Sequence, residues 1–535
     1  MTESPGASPP NLVVVLLDCA RALSFPETGG PGGILPSLEG LGPECSIFTR
    51  ASTVAPWTLP AHASLFTGRY PWEHGVMGEG RLQFNESLPT VAGILREAGY
   101  GTLALSANGL LAPLFGVPRS FEAHRCAEWW EKTLRWVPPE SLRGRPEDRP
   151  LGTRTLLTVL GQGFPPRRDR RAPESFLNTA EPRHSLRDAV RVADPQLGPV
   201  GPRTDAISWA AVDGLNRIAR TLRDPDNPRP LPIAPWIEAT FEAWLAHQPK
   251  ERPIHCFINL LDLHEKYLSN AELVPDASTW IRFARVSQSV RRWLRGEWRP
   301  TAAELDLLRR SYEAVLAGLD GRVASLIRIL ERAGRWENTL LVVTSDHGQA
   351  FGEHGHVFHG RNPFEPVLHI PLWIRWPRGE GGGQRRSEPV SLIDLAPTLL
   401  RAAGVDPPDG WPGVALQGVS LPPRGEPVLA MADGYPSIEI HSEGVGAPVM
   451  ERLREVHALA YVGDFKAIVE AHSGVTRVFD LQRDPGETTD LGTDLPEPAG
   501  QAVRSAQRAM ELIGQTSRGV HDPLLEDRLR SWGYL

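Results

Sequence analysis

Four apolar runs in this 535-residue chain end in polar residues, and that repeated pattern constrains the fold more than any other feature. NLVVVLLD (11–18) is apolar without alternation, as expected of a strand buried on both faces in a parallel sheet, and it ends on Asp18. SLPTVAGILREAGYGTLALSAN (87–108) reads as a capped helix, a glycine stop and a strand over 102–106 that leads to Asn108. HCFINLLDLHEKY (255–267) reads as a strand ending near Asp262 and His264. An amphipathic pattern from about Ala302 to Gly334 precedes ENTLLVVTSDHG (337–348), whose apolar core ends in Ser345, Asp346 and His347. Alternating helices and strands of this kind predict an α/β fold, a large and mainly parallel sheet flanked by helices. Ligands collect at the C-terminal edge of such sheets, where all four polar ends would fall.

The chain also contains APWTLPAHASLFTGRYP (55–71), a short apolar helix that Pro60 helps to start and Gly68 ends. Thr58 is expected at its N-cap, either as an ordinary cap or as a hydroxyl presented to an anion at the positive end of the helix. With Asp18, Asp346 and His347, Thr58 makes a set of two carboxylates, an imidazole and a hydroxyl, enough to hold a divalent cation that also touches a nucleophile. The imidazole favours Zn²⁺ or Mn²⁺, with Ca²⁺ less suited. HGQAFGEHGHVFHG (347–360) adds His354, His356 and His359 in one glycine-rich loop, some of them expected at the surface.

A net charge of −7 points away from nucleic acid or a membrane surface as partner, so an anionic ester substrate must be held locally. Cys19, Cys45, Cys126 and Cys256 form no CxxC pair, and neither a signal peptide nor a membrane span is legible. A cytoplasmic protein with reduced thiols is the expectation. Residues from about 125 to 236 are dense in Pro, Arg and Gly and read as an insertion, in which Trp129, Trp130 and Trp136 either cap the site or pack. The insertion interrupts a catalytic domain expected over 1–421. FKAIVEAHSGVTRVFDL (465–481) reads as a hairpin turned at Ser473 and Gly474, within a smaller C-terminal α/β subdomain expected over 422–535.

Taken together, these motifs resemble the sulfatase family of the alkaline phosphatase superfamily. APWTLPAHASLFTGRYP is similar to the family's signature helix, NLVVVLLDCAR and TSDHGQAFGEHG to its two metal motifs, and FINLLDLHEKY to its Asp-x-His-x-x-Tyr segment. SLIDLAPTLLRAAGV and FDLQRDPGETTDL resemble its late helix and C-terminal hairpin. The resemblance implies a hydrolase of sulfuric or phosphoric ester bonds with metal ligands at Asp18, Thr58, Asp346 and His347. The departures are specific. The family's nucleophile is a formylglycine made from Cys or Ser, and its maturation reads an Arg where His62 stands, so Thr58 excludes that route. Cys19 replaces a second aspartate, and Asn108 and His359 stand where sulfatases use lysines. The remaining set resembles the single-metal sites of phosphonate monoester hydrolases and phosphoethanolamine transferases. Asp262 and His264 are too close together for the second metal motif of the nucleotide pyrophosphatases. The expectation is phosphoester hydrolysis through a phosphothreonine at Thr58. His359 or His264 would serve as acid, and Asn108 and His62 would hold phosphoryl oxygens. Sulfate ester hydrolysis, phosphoryl transfer and a catalytically inactive binding module are the alternatives.

Overall fold

The computed structural model describes residues 8–30, 32–78, 84–85, 87–106, 108, 111, 120–126, 235–264, 299–417, 424–433 and 455–516. These fall in one compact unit, Met1–Trp129 with Ala234–Leu535. Nearly all of the expected insertion, including Trp129, Trp130 and Trp136, lies outside the described residues.

The strands in chain order are β1 (Asn11–Leu17), β2 (Cys45–Ser52), β3 (Gly101–Ser106), β4 (Ala123–Cys126), β5 (Ile254–Leu260), β6 (Thr339–Thr344), β7 (Ala350–Phe351), β8 (Val357–Phe358), β9 (His369–Arg375), β10 (Gln384–Arg386), β11 (Val390–Ser391), β12 (Val428–Ala432), β13 (His457–Val462), β14 (Phe465–Glu470) and β15 (Thr476–Asp480). Nine of them form the main sheet in the order β10-β2-β9-β6-β1-β5-β3-β4, with β11 also on β2. Its pairings are parallel except where β9 meets β2 and β6.

The unbroken apolar runs are explained by what covers them. Val13, Val15 and Leu17 of β1 enter one core, and Leu12, Val14 and Leu16 enter another on the opposite face. The first core is covered by the Ala302–Arg332 helix, which buries Leu308, Tyr312, Leu316 and Leu319 and is capped by a Thr301–Glu304 box. The second holds Leu59, Leu65 and Phe66 of the Thr58–Thr67 helix and Leu395 and Leu399 of the Leu395–Ala402 helix. Each fully buried side chain of this kind contributes roughly 1.5–3 kcal/mol.

The separate small sheet is antiparallel, β12-β13-β14-β15, and β14 and β15 form the expected hairpin. The Glu497–Thr516 helix packs on it through Ala499, Ala502, Ala506 and Ala509, small residues at helical spacing that permit close approach. This sheet and the residue after β12 hold the segment that leads into the site-bearing helix. Met431 N–H donates to the Val54 carbonyl (2.9 Å), and Trp57 Nε1 donates to Asp433 Oδ1 (3.1 Å).

Candidate active site

The order β6-β1-β5-β3 places four C-terminal strand ends side by side, about 4.8 Å apart per step. Asp18 follows β1, Asp346 and His347 follow β6, Asn108 follows β3, and His264 lies in the turn after β5. Thr58 comes from outside the sheet, at the head of a helix whose ten residues are all buried. Trp57 occupies the N-cap, so Thr58 is the first helical residue rather than the cap expected from sequence. The difference comes from Trp57, whose extended backbone and bond to Asp433 hold the chain before the helix turns. Gly68 ends the helix in the left-handed conformation, φ 62°.

Around Thr58 Oγ1 the polar ends converge. His347 Nε2 is 3.5 Å away, and Asn108 Nδ2 donates to it at 3.4 Å and to Asp18 Oδ2 at 2.9 Å. Asp18, His62, Asn108, Asp346 and His347 are all fully buried. Asp346 Oδ1 accepts the backbone N–H groups of Cys19 (3.2 Å) and His347 (2.9 Å), whereas its Oδ2 has no hydrogen-bond partner among the described residues. His347 Nδ1 lies 3.0 Å from the Gly348 carbonyl, which in the neutral ring puts the proton on Nδ1 and a lone pair on Nε2. That lone pair and the unpartnered Asp346 oxygen stand 3.3 Å apart, an arrangement that a shared cation resolves.

The carboxylates differ in protonation. Burial pushes Asp346 up to about 7, and the nearby Asp18 charge reinforces it. Burial alone would raise Asp18 too, but His264, His347, His62 and the Asn108 amide outweigh it and hold the group below its ordinary value. A divalent cation between the two would remove this like-charge conflict. The donor set therefore fits a metal, with Asp18, Thr58, Asp346 and His347 as the residues that would hold it.

His62, expected to hold a phosphoryl oxygen, lies beside Asp346, its Nδ1 3.6 Å from Asp346 Oδ2. Its Nδ1 meets the Thr58 carbonyl at 2.8 Å and its Nε2 accepts from Asn259 Nδ2 at 3.1 Å, so both nitrogens are engaged within the protein. Asn259, absent from the expectations, also donates to Asp18 Oδ2 at 3.3 Å. Its signal was a polar residue inside the apolar run INLLD, overlooked beside the charged Asp262. Asp262 instead meets Arg322 of the long helix at 3.4 Å. His359 stacks on His347, ring centroids 4.5 Å apart, and packs edge-on against His264 at 5.0 Å. Its Nδ1 is paired with Gln349 Oε1 at 2.9 Å, a second residue the sequence reading did not single out. His354 stacks on Phe364 and His356 packs near the same ring.

The sequence model of the sulfatase family matches residues 10–112 and 241–405, half of the chain, and those segments contain every residue named around Thr58. Over 534 residues the chain is 26% identical to the choline-sulfatase of Rhizobium meliloti (strain 1021), covering 98% of this chain and 90% of that protein. It is 31% identical over 234 residues to arylsulfatase K of Xenopus laevis, 41% of this chain and 40% of that one. The phosphonate monoester hydrolase of Agrobacterium radiobacter shares the fold, with a TM-score of 0.60 and 18% identity, over 95% of this chain and 96% of the other.

Proposed function

The chain belongs to the sulfatase family, hydrolases of sulfuric or phosphoric ester bonds that typically bind a divalent metal, and we propose that this member cleaves phosphate esters through a covalent phosphothreonine at Thr58. The observation that carries the reading is a buried threonine hydroxyl at a helix N-terminus, 3.5 Å from His347 Nε2 and 3.4 Å from Asn108 Nδ2, where no formylglycine can form. The substrate is a small anionic ester, a phosphodiester or a phosphate or phosphonate monoester.

Bound at Asp18, Thr58, Asp346 and His347, a zinc or manganese ion would lower the pKa of the threonine hydroxyl and withdraw charge from the phosphoryl group. The protein residues divide the remaining work. Thr58 Oγ1 gives up its proton to solvent and attacks phosphorus in line, the bond to the leaving oxygen breaks, and the imidazolium of His359 or His264 gives that oxygen its proton. Asn108 Nδ2, bonded to Asp18 and to Thr58 Oγ1, would shift its Thr58 bond to a phosphoryl oxygen as Oγ1 bonds phosphorus and charge develops. Water then attacks phosphorus, the same imidazole, now neutral, takes its proton, and the P–Oγ1 bond breaks, with Oγ1 regaining a proton from solvent to restore the hydroxyl. His62 and Asn259 position these groups: one holds the Thr58 carbonyl, and the other braces His62 and Asp18.

Cleavage of the unmodified Thr58 site on a sulfate ester is the second reading, favoured by the near full-length similarity to a choline-sulfatase. Rates on aryl sulfate, phosphate monoester and phosphodiester substrates separate the two. The Thr58 peptide of a His359→Ala variant should carry the mass of a phosphoryl group after reaction with a phosphodiester. Thr58→Ala should lose at least about 10³-fold in kcat/KM. Undiminished phosphodiesterase activity in Thr58→Ala would overturn the proposal.

A further inference from the structure

We infer that Cys19 supplies a thiolate ligand to the cation held by Asp18, Asp346 and His347, so that the site takes a thiophilic divalent ion, zinc foremost, in preference to manganese, magnesium or calcium. The inference rests on the reading of these residues as a metal centre, and it narrows which ion they hold.

The backbone is what aims the sulfur. Cys19 has φ 67°, a left-handed conformation that costs a non-glycine residue of order 1 kcal/mol or more and persists only when its surroundings enforce it. Here they do: its N–H donates to Asp346 Oδ1 at 3.2 Å, and its carbonyl accepts the Tyr312 hydroxyl at 3.0 Å. The turn leaves Sγ fully buried, donating to Asp18 Oδ1 at 3.4 Å and 3.7 Å from His359 Nδ1. Ligand atoms of Asp18, Cys19 and His347 lie within 4.8 Å of one another, and all three residues are buried. Oδ2 of Asp346 accepts no hydrogen bond among the described residues and lies 3.3 Å from His347 Nε2 and 3.6 Å from His62 Nδ1, an unsatisfied buried oxygen that independently points to a cation beside His347.

Distances agree with coordination. A zinc ion with a sulfur at about 2.3 Å and an oxygen at about 2.1 Å, set at the tetrahedral angle, separates the two ligand atoms by roughly 3.6 Å. Cys19 Sγ and Asp18 Oδ1 already stand near that spacing in the fold. On binding, the thiol would give up its proton to solvent and the sulfur lone pair would become the donor. A thiolate beside an imidazole and carboxylates selects for zinc, cobalt or cadmium, because the harder ions gain little from sulfur. Cys45 and Cys256 sit in the apolar core instead, and burial raises both thiols, so neither competes.

Cobalt(II) is the probe, loaded into the full-length protein after chelation and dialysis. One equivalent should bind with an intense near-ultraviolet thiolate-to-cobalt absorption, and Cys19→Ser should bind cobalt without that band. The preference for zinc over manganese should fall by about 10-fold or more in the variant. Cobalt bound by the wild type with no such band, or a band that persists in Cys19→Ser, overturns the assignment while leaving the metal centre intact. Failure of the wild type to bind cobalt or zinc at all overturns the metal centre and the assignment together. Should Cys19→Ser not fold, ¹¹³Cd NMR of the wild type decides: a strongly downfield thiolate signal supports Cys19, and a shift typical of oxygen and nitrogen ligands alone excludes it.

Discussion

Asn259 stands fully buried in a strand whose other polar residue is His255, and its amide nitrogen serves Asp18 Oδ2 and His62 Nε2 at once. Replacing it with leucine leaves buried His62 Nε2 without that donor, at about 1–3 kcal/mol, and leaves Asp18 Oδ2 with Asn108 in place of two amide donors. Metal affinity in Asn259→Leu should accordingly fall by roughly 10–100-fold, the range expected when a group that orients ligands is lost. Titration with zinc against a competing chelator would measure it, and unchanged affinity would mean that Asp18 needs no such brace. Asp18, Asp346, His347 and Asn108 were legible one by one because each ends or follows a strongly patterned segment, and Thr58 because it heads one. Asn259 was not, since its role depends on lying opposite Leu16 of β1 and Ser106 of β3, and register is not written in one strand alone.

At the scale of elements, the loop after β6 is held against its neighbours with no room to spare. A Cβ on Gly348 would come within 2.3 Å of the Pro366 carbonyl oxygen and 3.2 Å of Arg21 Cα, both backbone atoms that cannot swing aside. Gly348→Ala should therefore displace the His347 backbone, cost about 1–3 kcal/mol in unfolding free energy and reduce kcat/KM by at least about 10-fold. Denaturant titration and steady-state rates would test the two parts separately, and wild-type values in both would show that the loop yields. The elements were legible in the sequence where their pattern was long, as in the Ala302–Arg332 helix and β1. The start of the Thr58–Thr67 helix was misplaced by one residue, because Trp57 is held by Asp433 from a strand far away in sequence.

For the whole molecule, protons and metal should both shift stability. His74 and His255 are fully buried, and burial pushes them down from 6.5 to about 3 and about 4. Both stay neutral in the fold but bind protons when unfolded below pH 6.5, so their contribution is full above that pH and is lost as pH falls toward 4 and then 3. Each lowers stability by up to about 1.4 kcal/mol per pH unit in that window. In chelated protein, His255→Phe should show a shallower loss of stability between pH 6.5 and 4.5 than the wild type, as read from urea midpoints; equal slopes would contradict the assignment. At neutral pH the bound metal should add stability, about 2.7 kcal/mol at a hundredfold excess over Kd, so a chelator should lower Tm reversibly. A Tm indifferent to chelator and to added zinc would count against a resident ion. Among the described residues, no helix is long and apolar enough to cross a membrane.

The sequence by itself determined the chemistry available to this protein: apolar strands that stop on carboxylates, an imidazole and an amide, and a threonine where maturation to formylglycine cannot occur. Those features are local, because burial on both faces and helix starts leave their marks in consecutive residues. Only the tertiary structure decided which of these groups meet. It set Cys19 against Asp18 and Asp346 through a left-handed backbone, engaged His62 with Thr58 and Asn259, and sent Asp262 to Arg322. The physical reason is that side-chain direction at a strand end depends on sheet register and on one or two turn dihedrals, which contacts from distant segments fix.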